Sequence, residues 1–343
     1  MKAVSYRTTG PSSVLELGER PEPHPGPGEV RVRIHVSGVN PTDWKARSGG
    51  GRVTELAAPQ VPDQDGAGVV DELGAGVTEF AVGDRVWVWD AAYQRPDGTA
   101  QELVVLPVRQ VVRLPDDVSF DAGASLGIPA LTAHRALTAS DRSPRELAPG
   151  VLAGQLVLVA GGAGAVGHAA IQLAVWAGAT VITTVSSPEK AALARTAGAH
   201  HVVDYRAEDA AAAIRRLAPV GVDIVVEVNP AVNMGLDVDV AAYNATVSIY
   251  ADNGEPVVVP VRPSMAKNVR FQYILTYTVP ADVKDSAVRA VAAAVADGAL
   301  PVGADAGLPI TRFALAQAAD AHDAVEAGTV GKVLIDVGSG SSR

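Results

Sequence analysis

Residues 155–167 read Gln-Leu-Val-Leu-Val-Ala-Gly-Gly-Ala-Gly-Ala-Val-Gly, an apolar run that leads directly into glycines. The run is rich in leucine and valine and predicts a buried strand, and apolar residues at helical spacing after Gly167 predict a helix. Gly162, Gly164 and Gly167 fit the pattern G-x-G-x-x-G. Strand, glycine turn and helix in this order are the context in which that pattern binds a dinucleotide, with the pyrophosphate at the helix start.

The composition of the 343-residue chain limits the classes of protein to which it can belong. Hydrophobic residues make up 48%, enough for ordinary cores, and no apolar run reaches membrane-spanning length. There are no cysteines, which excludes disulfides and thiolate metal sites, and the net charge of -10 argues against nucleic-acid and membrane partners. The N-terminus lacks the pattern of a secretory signal, so we expect a cytoplasmic protein.

The two halves of the chain differ in their patterns. Residues 1–125 contain short strand-like segments separated by proline and glycine clusters, which predicts a β-barrel-like domain. From Leu156 onward strands and helices alternate, which predicts a doubly wound parallel sheet. The overall fold class is therefore α/β with two domains.

The end of the chain carries a β–α–β pattern from Ile310, which we expect to return to the first domain, and Gly338–Arg343 predicts a frayed tail. The predicted division is therefore residues 127–281 for the doubly wound domain and residues 1–126 with 282–343 for the other.

Several segments in order along the chain strengthen this interpretation. They are Gly38–Pro41, Arg47–Gly49, Asp65–Val70, Val82–Val86, Pro129–Ala133, Ala160–Gly167, Gly198-Ala199 and Gly331–Val333. With them the chain resembles the medium-chain dehydrogenase/reductase superfamily, and within it the zinc-independent quinone oxidoreductases related to ζ-crystallin. The resemblance implies a GroES-like catalytic domain built from both chain ends, a central Rossmann domain, NADPH as cofactor, and a homodimer or homotetramer.

Zinc divides this superfamily, and the residues here disfavour it. Ser37-Gly38-Val39-Asn40 stands where the zinc enzymes carry a catalytic cysteine, and Gln64-Asp65-Gly66 stands in place of Gly-His-Glu. The seven histidines are scattered, and the adjacent pair His200-His201 would point to opposite faces of a strand. Without a thiolate or a converging set of histidines, we predict no structural or catalytic metal.

The end of the second strand of the alternating half decides the choice of cofactor. NAD sites place an acidic residue there to accept a hydrogen bond from the ribose 2′-OH. Here Ser186, Ser187 and Lys190 occupy the position, which favours the 2′-phosphate of NADPH, although Ser187 also fits a plain helix N-cap. Tyr205 follows the next strand, where family members place a tyrosine or histidine near that phosphate; the alternative is an aromatic side chain packed at a strand end.

By the same resemblance, two later strand ends and one helix contribute the nicotinamide end of the site. The predicted cofactor-binding residues are Thr132, Gly162, Ala163, Gly164, Ala165, Val166, Gly167, Ser186, Ser187, Lys190, Tyr205, Ile249, Tyr250, Ala251, Ile274, Leu275 and Thr276.

Asn40 and Lys45 are the predicted catalytic residues. The family pattern makes Asn40 a cleft residue that hydrogen-bonds the substrate or the nicotinamide ribose, whereas a turn residue before Pro41 is the simpler alternative. Lys45 stands where relatives commonly carry a tyrosine, and a solvated surface lysine is its alternative. The segment Asp90–Thr99 is expected at the mouth of the cleft.

These observations predict an NADPH-dependent oxidoreductase that transfers a hydride to quinones or α,β-unsaturated carbonyls without zinc. Two alternatives stay open. One is an enoyl-thioester or polyketide-type enoyl reductase, which uses the same fold, and the other is a crystallin-like NADPH-binding protein of low turnover.

Overall fold

Strand Leu156–Ala160 runs into the glycine turn, and helix Ala165–Trp176 follows it, in the computed structural model, which describes residues 1–338. The predicted order of strand, turn and helix is confirmed. Among the described residues, no helix is long and apolar enough to cross a membrane. The predicted tail lies outside the described residues, apart from Gly338.

The elements follow one another along the chain with few long connections. The strands are β1 Lys2–Thr8, β2 Glu16–Glu19, β3 Glu29–Val39, β4 Glu55–Gln60, β5 Asp65–Leu73, β6 Arg85–Val88, β7 Leu103–Pro107, β8 Val111–Arg113, β9 Leu156–Ala160, β10 Thr180–Val185, β11 His201–Asp204, β12 Val222–Glu227, β13 Ala241–Ile249, β14 Arg270–Tyr273, β15 Ile310–Ala314 and β16 Lys332–Asp336. The helices are α1 Pro41–Ser48, α2 Phe120–Gly123, α3 Gly127–Leu137, α4 Ala165–Trp176, α5 Pro188–Thr196, α6 Ala210–Leu217, α7 Pro230–Val240, α8 Val261–Lys267, α9 Ala281–Ala296 and α10 Ala318–Glu326.

The first of two structural units comprises Met1–Ile128 and residues 310–338 of the described chain. Its larger sheet has the order β15-β16-β3-β5-β6-β8, with β7 also paired to β3, and a smaller sheet has the order β2-β1-β4. Alternating valines and isoleucines of β3 face a buried core that strand β16 helps to close. Strand β16 pairs antiparallel with β3, so the β–α–β segment near the end of the chain returns to this unit.

The second unit, Pro129–Pro309, is built around a six-stranded sheet of order β11-β10-β9-β12-β13-β14. Every pair of neighbouring strands in it is parallel, which confirms the predicted doubly wound sheet. The strand order reverses between β9 and β12. A ligand crevice of such sheets opens at the carboxyl ends of the strands where the order reverses, and the glycine turn follows β9 at that edge.

The predicted boundary at residue 281 is wrong for the segment 282–309, because helix α9 and the turn after it belong to the second unit. Three bonds from helix α4 hold this segment. Trp176 Nε1 donates to Asp297 at 2.9 Å and Gln172 Nε2 donates to Pro301 O at 3.0 Å. The ring of buried His168 lies 2.8 Å from Ala306 O. The contacts join residues more than 120 positions apart, so the local pattern could not predict them.

We predict that Gly38→Ala destabilises the first unit. Gly38 lies in β3 between Asp65 of β5 and Leu334 of β16, and a methyl group there would stand 2.0 Å from Ala124 O. Forcing the backbone apart should cost about 1–3 kcal/mol, measured as a lower midpoint of denaturant unfolding. Gly18→Ala is the control, since that strand position has no atom within 4 Å of the added carbon. Equal midpoints for the two variants would contradict the prediction.

Candidate active site

Two of the three motif glycines in the turn cannot carry a side chain. A methyl group at Gly162 would lie 2.3 Å from Thr183 Oγ1, and one at Gly167 would lie 2.4 Å from Gly161 O. Gly162 therefore allows the turn to lie against the neighbouring strand β10, and Gly167 allows helix α4 to approach the turn. Packing within the unit is enough to explain both glycines.

The third motif glycine, Gly164, is less crowded than the other two. The nearest atom to a methyl group there would be Gly161 O, at 3.6 Å. Gly164 is the N-cap residue of α4, and no side chain caps that end of the helix. The N–H groups of Ala165 and Val166 precede the first intrahelical partners, and Ala163 is buried beneath the turn. The turn therefore has the room and the donors that a pyrophosphate needs.

Ser186, Ser187 and Lys190 meet at the carboxyl end of β10. Ser187 Oγ accepts a hydrogen bond from Lys190 N at 3.3 Å, so Ser187 is the N-cap of α5. Lys190 Nζ donates to Ser186 Oγ at 3.1 Å, which holds the ammonium beside the strand end. Within residues 1–338 this ammonium forms no ion pair. A cation in the first turn opposes the helix dipole unless an anion binds nearby, so the arrangement favours an anionic ligand.

Tyr205 lies next to this group, at the end of the neighbouring strand. Tyr205 N donates to Val185 O at 3.1 Å, which continues the pairing of β10 and β11 beyond their last residues. Its side chain is 52% exposed, so it is not the packed strand-end aromatic of the alternative interpretation. The sequence reasoning missed Arg206, whose exposed guanidinium makes no ion pair in the described part of the chain. The cation Lys190 thus follows strand β10, and the phenol of Tyr205 and the cation Arg206 follow the adjacent strand β11.

The two strand-end segments assigned to the nicotinamide end lie side by side. Tyr250 N donates to Glu227 O at 3.1 Å, and Ile274 N donates to Ile249 O at 2.8 Å. These bonds extend the pairing of β12, β13 and β14 at the carboxyl edge of the sheet. The predicted segments therefore share the edge at which the glycine turn lies.

Thr132 joins the same group. Its Oγ1 lies 2.6 Å from Thr276 Oγ1, so two of the predicted residues hydrogen-bond to each other although 144 positions separate them. Leu275 is 58% exposed beside them, and Ala251 is partly buried. The structure brings the predicted residues of the second unit together at one sheet edge, and their contacts with a cofactor stay a prediction.

Asn40, in the first unit, is buried, and its amide is engaged at both ends. Lys332 Nζ donates to Asn40 Oδ1 at 2.7 Å. Asn40 Nδ2 donates to Asp65 Oδ2 at 2.7 Å and to Gly38 O at 3.3 Å. Both amide hydrogens of Asn40 therefore already have acceptors, and its role toward the substrate or the nicotinamide ribose stays a prediction. A direct contact with substrate or ribose would require one of these bonds to break.

Lys45 is exposed on helix α1. Its ammonium lies 5.9 Å from the centre of the Trp44 ring, a cation–π distance. The placement matches the alternative of a solvated lysine, and a role in catalysis stays a prediction.

A buried charged cluster surrounds Asn40, and none of its other members is among the predicted site residues. Both carboxylate oxygens of Asp65 accept from Ile128 N at 2.9 Å, at the start of helix α3. Burial raises the pKa of Asp65 to about 7, against the lowering effects of the Lys332 ammonium and of the Ile128 and Asn40 hydrogen bonds. Burial likewise lowers the pKa of Lys332, opposed by Asp65, Asp43 and Asp63. Burial therefore moves the pKa of Asp65 and the pKa of Lys332 toward each other.

Ser37, which stands where the resemblance places the catalytic cysteine of the zinc enzymes, is hydrogen-bonded within the protein. Ser37 Oγ donates to Asp63 Oδ2 at 2.9 Å, and His322 Nε2 lies 3.0 Å from Asp63 Oδ1. Across residues 1–338, no group of three or more histidine, cysteine, aspartate or glutamate side chains could hold a metal ion. Asp63 itself adopts φ +75°, a strained conformation for a non-glycine residue, and these two side chains help to hold it.

Two sequence families match the chain. Residues 26–116 match the alcohol dehydrogenase GroES-like domain, and residues 165–293 match the zinc-binding dehydrogenase family. The first match lies in the unit that contains Asn40 and the second in the unit that contains the glycine turn, so the predicted GroES-like and Rossmann domains are confirmed.

Individual relatives agree with these matches over most of the chain. The quinone oxidoreductase of Sus scrofa is 30% identical over 306 residues, which cover 88% of this chain and 87% of that protein. A mycobacterial protein solved in complex with NADPH superposes with a TM-score of 0.80 at 31% identity, covering 98% and 99% of the two chains. An NAD-dependent alcohol dehydrogenase superposes with a TM-score of 0.84 at 28% identity, covering 98% and 100%.

We predict that Asp65 makes stability depend on pH. Its pKa is raised from 3.8 to about 7 in the folded protein, so the folded state keeps a proton that the unfolded chain has lost. The stabilisation is complete below about pH 4 and is lost as the pH rises through about 7, with a slope of at most about 1.4 kcal/mol per pH unit. The unfolding free energy of the wild type relative to Asp65→Asn should therefore fall from pH 4 to 7.

Denaturant unfolding of both proteins across this pH range measures the difference. Asp305→Asn, at an exposed carboxylate, is the control and should follow the wild type. Parallel curves for the wild type and Asp65→Asn would contradict the raised pKa.

Proposed function

The chain belongs to the quinone oxidoreductase family of the medium-chain dehydrogenase/reductase superfamily, and from this membership we propose that it transfers a hydride from NADPH to a quinone or an α,β-unsaturated carbonyl. The side chains at the end of strand β10 support NADPH rather than NADH as the cofactor. Lys190 Nζ lies beside Ser186 there, and no acidic side chain follows the strand directly. An acid would accept from the 2′-OH of NAD, whereas an ammonium complements a 2′-phosphate.

The residues of the second unit fit the cofactor along its length. The glycine turn and the start of α4 would bind the pyrophosphate, and Lys190, with Tyr205 beside it, would bind the 2′-phosphate. Thr132 and the segments that end β13 and β14 would orient the nicotinamide ring. When bound, NADPH supplies the hydride. The mycobacterial relative solved with NADPH supports this assignment.

The chemistry of the acceptor follows from the available side chains. A saturated alcohol or simple ketone normally needs a Lewis acid to stabilise its alkoxide, and a chain without cysteine has no thiolate to bind zinc. A quinone or enone needs less help, because conjugation spreads the developing negative charge. The protein then has to orient the acceptor and donate one or two hydrogen bonds to its oxygen. A dedicated acid is unnecessary when solvent supplies the final proton.

The same proposal places the protein in the cytoplasm as a homodimer or homotetramer, with a small conjugated molecule as its partner. Size-exclusion chromatography with light scattering would measure the oligomeric state.

We predict that Lys190→Ala weakens NADPH binding by about 1.5–3 kcal/mol, the range for a hydrogen bond to a charged group. NADH binding should change little, because NADH lacks the 2′-phosphate. Fluorescence titration of both cofactors measures the two affinities. Arg195→Ala is the matched control, since it removes a cation from the last turn of the same helix. Equal losses for NADPH and NADH would exclude Lys190 from the phosphate site.

We predict that the purified protein oxidises NADPH with quinones, enals or enones and does not oxidise simple alcohols. Enoyl thioesters belong in the same screen, because their reduction would identify the alternative acceptor class. EDTA should leave the rate unchanged, and elemental analysis should find no stoichiometric zinc. Efficient alcohol oxidation that EDTA abolishes and zinc restores would instead favour the activity named for the alcohol dehydrogenase relative.

A further inference from the structure

We infer that Glu227 and Asp237 share one proton in the folded protein, and that this proton positions the segment after strand β12 for cofactor binding. The second half of the inference rests on the proposed function. Glu227 is the last residue of β12, and Asp237 lies in helix α7. Both acids belong to the second unit, and both are buried, with 0% and 1% of their surface exposed.

The two oxygens of the Glu227 carboxyl differ in their partners. Oε1 accepts from Asn229 N and from Asn233 Nδ2, the latter at 3.0 Å. Oε2 and the Oδ2 atom of Asp237 are buried without a donor from any other group of residues 1–338. The two carboxyls instead meet each other in a hydrogen bond. Ionised carboxylates only accept, so this bond requires a proton on one of the two acids.

The cations on the helices that pack against α7 are engaged elsewhere. On α6, Arg215 pairs with Asp239, and Arg216 pairs with Glu208 at 3.2 Å. On α8, Lys267 Nζ donates to three main-chain oxygens around the end of α7, at 2.8–2.9 Å. Two buried carboxylates without a cation would carry a large desolvation cost, which one shared proton reduces.

Burial raises the pKa of both acids. The hydrogen bonds to Glu227 oppose the rise there, whereas the Glu227 charge adds to the rise at Asp237. Tyr250 is the other titratable group that faces Glu227, and burial together with the Glu227 charge raises the pKa of its phenol, which therefore stays neutral. The pair titrates as a unit and keeps one proton at a pH where the unfolded chain has lost both.

The segment that follows β12 lies between two parts of the proposed cofactor site. On one side, a carbon added to Gly161 of the glycine turn would lie 3.4 Å from Val228 Cγ1. On the other side, Tyr250 N donates to Glu227 O at 3.1 Å. The Glu227 side chain holds the segment through Asn229 N, and the shared proton holds that side chain to α7. Loss of the proton would place two like charges together in a buried site, and their repulsion would displace the segment.

Amide variants separate the proton from the shape of the side chains. In Glu227→Gln the new side chain keeps an oxygen for Asn229 N and donates its –NH₂ to Asp237, so it reproduces the protonated acid. Adding Asp237→Asn gives a double variant in which neither position can titrate. Glu227→Gln alone reports on the proton if the double variant fails to fold. Asp239→Asn is the matched control, because this exposed acid of α7 pairs with Arg215.

Denaturant unfolding without cofactor tests the shared proton. Its stabilisation is present near the pKa of unfolded carboxyls, about 4, and is lost as the pH rises through the pKa of the folded pair. From about pH 5 upward, the unfolding equilibrium constant of the wild type should rise by up to about tenfold per pH unit relative to the double variant. Asp65 is present in every protein, so its own titration cancels, and Asp239→Asn should follow the wild type. Parallel pH profiles for the wild type, Glu227→Gln and the double variant would overturn the shared proton.

Fluorescence titration of NADPH and NADH tests the positioning role. Between about pH 6 and about pH 9, both dissociation constants of the wild type should rise by about tenfold relative to the double variant, the effect of a one-unit change in the pKa of the pair on binding. Both cofactors should respond, because they share the pyrophosphate and the nicotinamide. Constant ratios at every pH would overturn the positioning role. A wild type that binds neither cofactor would overturn the proposed function and the positioning role with it, while the unfolding profiles still decide the shared proton.

Discussion

The carboxylate of Asp65 is the centre on which the first unit depends. It accepts hydrogen bonds from Ile128 N at the start of helix α3 and from Asn40 Nδ2 at the start of helix α1. Asn40 Oδ1 in turn accepts from Lys332 Nζ of strand β16. One buried acid thus fixes the beginnings of two helices and a strand that lies far away along the chain. These charged side chains can be buried only because each has a partner of opposite charge or a hydrogen bond. Removing one side chain leaves its partners buried without compensation for their desolvation.

The second unit differs from the first, because it leaves some hydrogen-bond donors at helix starts without a partner. Its parallel sheet pairs the four inner strands on both sides, and helix starts with unused donors lie at the carboxyl edge, where strands end and helices begin. The capless start of α4 and the ammonium of Lys190 both lie at such helix starts. An anionic ligand at this edge completes contacts that the protein itself leaves open.

The sequence predicted those features that depend on local pattern. The glycine turn, the parallel strands and the N-cap at Ser187 follow from spacings of a few residues, and the structure contains all three. The start of α3 does not follow from local spacing, because it is set by Asp65, 63 positions before its partner Ile128.

The predicted site was less complete for the same reason. The sequence indicated Asn40 as a site residue, but the bonds that occupy its amide come from Asp65 and Lys332, 25 and 292 positions away. Such contacts arise from tertiary packing and produce no periodic pattern in the sequence.

The pairing of β16 with β3 also sets the order in which the chain can fold during synthesis. The second unit is one continuous segment and is available in full once residue 309 has emerged from the ribosome. The first unit has to wait for residues 332–336, and until then residues 36–39 of β3 lack their β16 partner and Asn40 and Asp65 lack their ammonium. At this stage the second unit of the nascent protein is complete and the larger sheet of the first unit is not. The exposed strand edge is then most prone to aggregation, so a chaperone would have the greatest effect at this stage.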